Sequence, residues 1–180
     1  MSTSPTIPDD ATLLELAQQT GKQLEQSGLK LVTAESCTGG WVGQIITAIP
    51  GSSSWYDRGF ITYSNAAKQQ MLHVQPQTLA QHGAVSEPTA REMAQGALIR
   101  SEAQIAIAVT GIAGPSGGSA EKPVGTVCFA WVLETAFTTS ANSQTRHFSG
   151  DREAIRRQSA ATALQGILAL LENTTPLNLV

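Results

Sequence analysis

The chain has 180 residues, of which 41% are hydrophobic and 14% are charged, and its formal net charge at pH 7 is -3. This length suits one domain with a substantial core, and the composition is that of an ordinary globular protein. A weakly acidic chain without a basic run lacks the positive surface that nucleic-acid binding requires, so nucleic acid is excluded as a predicted partner.

Two cysteines, Cys37 and Cys128, are too few for a disulfide framework, and no metal-ligand motif accompanies them. We therefore predict no metal and no cofactor. The N-terminal residues lack the basic and apolar regions of a signal peptide, and no run approaches the roughly 18 apolar residues of a membrane helix. These features predict a soluble cytoplasmic protein with no membrane partner.

The chain is predicted to divide into three segments. Residues 1–8 are polar and punctuated by proline, which indicates a disordered lead-in. Residues 9–173 are predicted to form one domain, because no repeat or linker interrupts them. Residues 174–180 are predicted to be a flexible tail.

Helices and strands alternate along the predicted domain. The first half begins with a helix capped by Asp9 or Asp10 and ended by Gly28, followed by a strand over 29–32, a helix over 41–48 and a strand over 59–63. Three helices come next: a short one capped by Ser64 or Asn65, a short one over 75–82 and a longer one over 86–101. Strands over 105–109 and 124–132, a partner strand within 135–148, and a helix starting within 150–153 and ending near 171 complete the domain.

This order predicts the fold class α/β, as a single-domain three-layer α/β/α sandwich. The sheet should be mixed in direction, because the last two predicted strands follow each other without a helix. Residues 105–109 are wholly apolar and rich in β-branched side chains, which favours a central strand covered on both faces.

Ser36 lies at a predicted strand-to-helix turn, where a hydroxyl can stand clear of the sheet edge. The free N–H groups at the start of the helix could face a developing negative charge. Two interpretations stay open, because Ser36 or Thr38 could instead simply cap the helix. Cys37 is a rival nucleophile beside Ser36.

Tyr63 and Lys68 lie at another strand-to-helix junction, so both could reach a site at the same sheet edge. A nucleophilic serine needs a base, and a lysine can serve if burial lowers its pKa. A serine–lysine pair with a supporting tyrosine is a known variant of triad chemistry. The three histidines, His73, His82 and His147, occur in no triad motif.

A glycine-rich loop follows the strand over 105–109. Its run of N–H groups can form an anion-binding nest, and Lys122 can add positive charge. The alternative is an ordinary flexible loop. The candidate loop residues are Thr110, Gly111, Gly114, Gly117 and Gly118.

Three arginines, Arg152, Arg156 and Arg157, crowd the predicted start of the last helix. A positive charge at a helix N-terminus interacts unfavourably with the helix dipole unless a bound anion compensates it. A bound phosphate would compensate this charge. For Arg156 or Arg157 taken singly, the sequence favours the alternative of a surface side chain paired with Glu153 or Asp151.

Six ordered motifs together resemble the CinA C-terminal domain family over about residues 10 to 172. They are TAESCTGG (33–40), GFITYSNAAK (59–68), GAVSEP (83–88), TGIAGPSGG (110–118), KPVGTV (122–127) and FSGDRE (148–153). The resemblance implies deamidation of nicotinamide mononucleotide to nicotinic acid mononucleotide and ammonia, in pyridine nucleotide recycling. It also makes a homodimer or larger homo-oligomer the expected assembly.

Carried onto this sequence, the resemblance implies that Ser36 is the nucleophile, Lys68 the general base and Tyr63 a helper that orients or relays a proton. The N–H groups of Cys37, Thr38 and Gly39 are candidate oxyanion donors, while the loop from Thr110, with Arg152, would hold the 5′-phosphate. Two alternatives remain: a serine amidase or esterase acting on another substrate, and a catalytically silent nucleotide-binding module.

Overall fold

The computed structural model describes residues 7–136 and 138–173. The helices are α1 (Asp10–Ser27), α2 (Trp41–Thr47), α3 (Asn65–Leu72), α4 (Pro76–His82), α5 (Glu87–Ile99) and α6 (Arg152–Asn173). The strands are β1 (Leu31–Glu35), β2 (Tyr56–Ile61), β3 (Ile105–Gly111), β4 (Thr126–Glu134) and β5 (Thr139–His147), and a short 3-10 helix covers Ser52–Ser54. The predicted tail, and residues 1–6 of the predicted lead-in, lie outside the described residues.

The five strands form one mixed sheet in the order β2-β1-β3-β4-β5. β1 pairs in parallel with β2 and β3, whereas β3–β4 and β4–β5 are antiparallel pairs. The prediction of a mixed sheet is therefore confirmed. β3 is buried on both faces over 105–110, as the β-branched apolar run predicted.

Two hydrophobic cores cover the opposite faces of the sheet. On one face, Ile107 and Val109 pack with apolar side chains of α1, α2 and α6. On the other, Ala106 and Ala108 pack with the C-terminal end of α3 and with α5. Because successive side chains of a strand point to opposite faces, this alternation along β3 produces the predicted three-layer sandwich.

The helix ends were predictable from local chemistry. The Asp9 carboxylate accepts a hydrogen bond from Thr12 N–H, and the left-handed Gly28 ends α1. The side chains of Ser64 and Ser86 cap α3 and α5 in the same way.

The first two strands differ in extent from the prediction. β1 covers Leu31–Glu35 instead of 29–32, and β2 covers Tyr56–Ile61 instead of 59–63. β1 pairs with neighbours on both sides along its whole length, and this pairing carries it through the polar residues Thr33 and Glu35. β2 is an edge strand with exposed positions, so an apolar pattern did not mark its start.

The carboxyl ends of β1, β2 and β3 meet at one edge of the sheet, because the three strands are parallel. Ser36, Thr62 and Gly111 lie at these strand ends. Open α/β sheets place ligand sites at such an edge. Within the residues described, no helix has the length and apolarity needed to cross a bilayer.

Candidate active site

Ser36 directly follows β1 and remains tied to the sheet. Its N–H donates to the carbonyl oxygen of Val109 at 2.9 Å, which continues the pairing with β3. On the other side of β1, Thr62 N–H donates to Glu35 O at 2.8 Å. The serine is only 8% exposed, so its side chain is held at the floor of a cavity between the strand ends.

Helix α3 brings Lys68 to the serine. Ser64 caps α3 by accepting from Ala67 N–H at 3.0 Å, and Lys68 follows one turn into the helix. Its Nζ lies 2.9 Å from Ser36 Oγ and donates to Thr62 O at 2.7 Å. The structure thus brings together two of the three predicted catalytic residues.

Lys68 is 1% exposed, and burial lowers its pKa from 10.5 to about 8. The cause is desolvation, which disfavours the charged ammonium. At pH 7 about a tenth of the molecules then carry a neutral amine at this position. A neutral amine can accept the proton of the Ser36 hydroxyl while still donating to Thr62 O.

Cys37 is poorly suited to be the nucleophile. Its thiol is buried, and burial raises its pKa to about 12. The reactive thiolate is therefore scarce at neutral pH. Of the two adjacent candidates, Ser36 is the one in contact with a group that can act as a base.

The turn between β1 and α2 is held by Glu35. Its buried carboxylate accepts from the N–H groups of Gly40, Val42 and Gly43 at 3.0, 3.1 and 2.9 Å. Gly40 is the N-cap residue of α2, and no side chain at that position caps the helix. The interpretation that Ser36 or Thr38 caps α2 is therefore wrong, because the Glu35 carboxylate of the preceding strand accepts the hydrogen bonds at the start of this helix.

The N–H groups of the turn differ in availability. Gly39 N–H donates to Ser36 O at 3.0 Å, so it is not free for a ligand. Within the described residues, the N–H groups of Cys37 and Thr38 donate to no backbone carbonyl. These two are the candidate donors for an oxyanion.

The cavity beside Ser36 has a volume of about 180 Å³. Tyr63 and Arg152 line its mouth. Tyr63 is 62% exposed, and its hydroxyl accepts a hydrogen bond from Arg152 Nη2 at 3.0 Å. Arg152 also donates to Gly114 O at 2.7 Å, which places one guanidinium between the tyrosine and the glycine loop. The other lining residues are Cys37, Asn65, Lys68, Ala84, Val85, Thr110, Gly111 and Ala113.

Part of the predicted anion nest lies elsewhere. Thr110 and Gly111 belong to β3 and line the cavity, and the Thr110 hydroxyl donates to Ala84 O at 2.8 Å. Gly114, Gly117, Gly118 and Lys122 do not line it. The Lys122 ammonium donates to the carbonyls of His82 and Val85, each at 2.7 Å, and so supports the segment that forms one cavity wall.

Two contributors, Glu35 and Thr62, were not predicted from the sequence, and Arg156 was considered there only as part of an arginine cluster. Arg157 does form the expected pair with Glu153, at 3.0 Å, and also contacts Asp10 at 2.6 Å. Arg156 instead donates to Cys37 O at 3.2 Å and Thr38 O at 2.7 Å. The clustering of arginines was visible in the sequence, but the choice of partner was not.

In the part of the chain that the structure describes, no cluster of three or more histidine, cysteine or carboxylate residues could hold a metal ion. A serine hydroxyl beside a buried amine of lowered pKa, with two unpaired N–H groups on the same turn, is suited to acyl transfer.

Comparisons with known proteins agree with the resemblance found in the motifs. Residues 13–171 match the CinA C-terminal domain. The nicotinamide-nucleotide amidohydrolase PncC of Escherichia coli (strain K12) is 54% identical over 168 residues, covering 92% of this chain and 99% of that protein. The protein of the same name from Pseudomonas putida is 46% identical over 155 residues, covering 86% and 94%.

A solved structure shows the same architecture. The competence/damage inducible protein CihA from Agrobacterium tumefaciens superposes with a TM-score of 0.85 at 45% sequence identity, covering 94% of this chain and 99% of that one. This chain belongs to the CinA C-terminal domain family.

Proposed function

We propose that this chain is an amidohydrolase that converts nicotinamide mononucleotide to nicotinic acid mononucleotide and ammonia, with Ser36 as nucleophile and Lys68 as general base. The observation that carries the mechanism is the buried 2.9 Å contact between Lys68 Nζ and Ser36 Oγ. The substrate is supported by relatives named nicotinamide-nucleotide amidohydrolase, which match nearly the whole chain.

Neutral Lys68 begins the reaction by taking the proton from the Ser36 hydroxyl. The Ser36 Oγ attacks the carboxamide carbon, and a tetrahedral oxyanion forms. The C–N bond then breaks, and the leaving nitrogen departs as ammonia with the proton that Lys68 returns. An ester between Ser36 and the nicotinoyl group remains.

Water completes the cycle. Lys68, neutral again, takes a proton from water, and the resulting nucleophile attacks the ester carbon. The bond between that carbon and Ser36 Oγ breaks, and Lys68 returns the proton to Ser36. The carboxylic acid product loses its own proton to solvent and leaves as the carboxylate. The bond to Thr62 O keeps the Lys68 amine directed toward the serine in both halves.

The N–H groups of Cys37 and Thr38 are the donors that this proposal assigns to the oxyanion. Both lie on the turn that carries Ser36, and neither donates to a backbone carbonyl among the residues described. Gly39 is removed from the predicted set, because its N–H already bonds Ser36 O. Removing one such donor typically costs about 100- to 1000-fold in rate.

Arg152 is the residue that this proposal assigns to the 5′-phosphate. It lies at the cavity mouth, and a guanidinium binds phosphate well in geometry and charge. Tyr63 would orient that guanidinium through its 3.0 Å hydrogen bond, since its hydroxyl meets Arg152. This role fits the predicted helper function more closely than a proton relay does.

The two described cysteines are unpaired. The proposal accordingly places this enzyme in a reducing cytoplasm, where free thiols persist.

The direct test is ammonia release by the purified protein from nicotinamide mononucleotide, with nicotinamide riboside as the substrate that lacks the phosphate. Wild type should release ammonia from the mononucleotide, and Ser36→Ala should lower kcat by about 10⁴-fold or more. Ser54→Ala is the matched control, because Ser54 is exposed and does not line the cavity.

Equal turnover of the riboside would contradict the phosphate anchor and favour a general amidase. Binding of the mononucleotide without ammonia release would contradict the enzyme assignment and favour a binding module. Undiminished activity in Ser36→Ala would contradict the serine mechanism.

A further inference from the structure

Arg156 reaches from α6 to the turn that carries the candidate nucleophile. Its Nε donates to Cys37 O at 3.2 Å, and its Nη2 donates to Thr38 O at 2.7 Å. Its guanidinium carbon also lies 4.8 Å from the centre of the Trp41 ring, at the start of α2. One rigid planar group therefore holds two consecutive carbonyls of this turn while resting on an aromatic face.

This contact determines where the neighbouring N–H group points. In a planar trans peptide, the C=O of one residue and the N–H of the next point in opposite directions. Cys37 C=O and Thr38 N–H belong to the same peptide, so binding of that carbonyl by Arg156 turns the Thr38 N–H to the other side. Among the described residues, that N–H has no acceptor.

The other end of the turn is held by a group of opposite charge. The Glu35 carboxylate binds N–H groups of Gly40, Val42 and Gly43, whereas the Arg156 guanidinium binds carbonyl oxygens of Cys37 and Thr38. Between these two attachments, the turn leaves the N–H groups of Cys37 and Thr38 unbound. The turn is thus fixed in a form that leaves both donors unpaired on either side of Cys37, which lines the cavity, although Thr38 itself is buried and does not line it.

The geometry points to Arg156 as a positioning residue for the oxyanion site: it orients the Cys37–Thr38 peptide so that its N–H can stabilise negative charge on the reacting acyl group. The guanidinium also polarises the carbonyl that it binds, which makes the N–H of the same peptide a stronger donor. This inference rests on the proposed acyl transfer at Ser36, but Arg156 itself touches neither Ser36 nor Lys68.

The chain provides a matched control in the next residue. The Arg157 guanidinium carbon lies 5.1 Å from the centre of the same Trp41 ring. Its hydrogen bonds go to Asp10 and Glu153 and not to the turn. Arg157→Ala therefore removes an equal charge from the same helix and the same aromatic face, but it leaves both turn carbonyls bound.

The experiment compares steady-state kinetics of wild type, Arg156→Ala, Arg156→Lys and Arg157→Ala with nicotinamide mononucleotide. Arg156→Ala should lower kcat by about 10- to 100-fold with little change in KM, because the donor acts on the transition state and not on the bound substrate. Arg157→Ala should stay close to wild type. Added guanidinium, far below unfolding concentrations, should restore part of the kcat of Arg156→Ala and should not change Arg157→Ala.

Arg156→Lys keeps the charge but cannot bridge both carbonyls with one planar fork, so its kcat should fall between those of wild type and Arg156→Ala. If Arg156→Ala does not fold, as judged by its thermal transition, Arg156→Lys carries the comparison. A kcat in the Arg156 variants equal to that of Arg157→Ala would overturn the inference. A raised KM at unchanged kcat, or a loss of kcat that guanidinium does not restore in folded Arg156→Ala, would do so as well.

A second reaction separates this inference from the proposed substrate. The rate at which a fluorophosphonate modifies Ser36, followed by mass spectrometry, also depends on donors that face a developing oxyanion but needs no amide substrate. Arg156→Ala should be modified more slowly than Arg157→Ala. If wild type releases no ammonia yet shows this difference, the proposed substrate is wrong and the positioning role stands; equal modification rates would overturn the positioning role.

Discussion

Lys68 is a buried amine whose neighbours are a serine hydroxyl and a backbone carbonyl. No ion pair to it occurs within the residues described. Desolvation without a compensating carboxylate disfavours the ammonium, and this lowers the pKa to about 8. The same environment that makes Lys68 a useful base also makes its protonated form costly to bury.

The rate of the proposed reaction should depend on this titration. kcat/KM for nicotinamide mononucleotide should rise with pH through an apparent pKa of about 8 and then level off, because only neutral Lys68 accepts the serine proton. A pH–rate profile between about pH 6 and 10 measures this directly. A profile that is flat through this range would show that Lys68 is not the base.

The free energy of unfolding should also depend on the titration of Lys68. Between the folded pKa of about 8 and the unfolded value of 10.5, the unfolded chain binds more protons at Lys68 than the native chain does. The free energy of unfolding of wild type should therefore rise relative to that of Lys68→Met as pH increases across this window, by about 3 kcal/mol in total.

Urea denaturation of both proteins at several pH values measures this difference. Lys22→Met is the control, because Lys22 is exposed and its removal should leave the difference from wild type constant. A constant difference for Lys68→Met as well would show that burial does not shift the Lys68 pKa.

At the scale of the elements, the C-terminal end of α3 packs closely against α5, and this contact helps to position α3. A β-carbon at Gly96 of α5 would overlap the carbonyl oxygen of Leu72, the last residue of α3. The same helix carries Lys68 one turn after its N-cap. A side chain at Gly96 must therefore push α3 away and disturb the contact between Lys68 and Ser36.

Gly96→Ala should destabilise the protein by about 1–3 kcal/mol and lower kcat, because the added methyl group meets backbone. A loss of stability would indicate the steric conflict, since replacing glycine by alanine within a helix otherwise stabilises a protein by about 1 kcal/mol. Gln95→Ala, at an exposed neighbouring position, should change stability by less than about 0.5 kcal/mol. Equal denaturation midpoints for the two variants would contradict the close approach.

The elements also show how far the sequence predicts the structure. Helix ends at Asp9, Ser64 and Ser86 were predictable, because their caps depend on residues three positions away. The extent of β1 was not, because its polar residue Glu35 is compensated by N–H groups of the following helix. An apolar pattern contains no information about such a partner.

The candidate active site depends even more on contacts between residues that are distant in sequence, which local patterns do not predict. The strand-to-helix turns placed Ser36 and Lys68 near each other correctly, because both follow parallel strands. Arg156 meets Cys37 O across 119 positions of sequence, so no local pattern reveals that contact. Lys122 was predicted to add positive charge to the anion nest of the glycine-rich loop, but its ammonium donates to two backbone carbonyls of a distant segment.

At the scale of the whole molecule, the site joins parts of the chain that are far apart in sequence. The turn after β1, helix α3, the end of β3 and the start of α6 all contribute to the cavity or its mouth. A ligand that fills this cavity therefore ties the N-terminal and C-terminal halves of the fold together and should raise the melting temperature.

Nicotinic acid mononucleotide, the proposed product, should raise Tm by about 5 to 10 °C at roughly 100 times its Kd. Nicotinic acid at the same concentration should raise it far less, because it lacks the phosphate that Arg152 is proposed to hold. Differential scanning fluorimetry with wild type and Arg152→Gln makes the comparison. Equal shifts by the two ligands, or an undiminished shift in Arg152→Gln, would contradict the phosphate site.

As the proposed nucleophile, Ser36 carries the acyl group during turnover. Wild type quenched with acid while it turns over nicotinamide mononucleotide should contain a peptide whose mass has increased by one nicotinoyl mononucleotide, with the ester on Ser36 and no such peptide in Ser36→Ala. An adduct on Cys37 in place of Ser36, or release of ammonia by Ser36→Ala at the wild-type rate, would contradict a Ser36 ester.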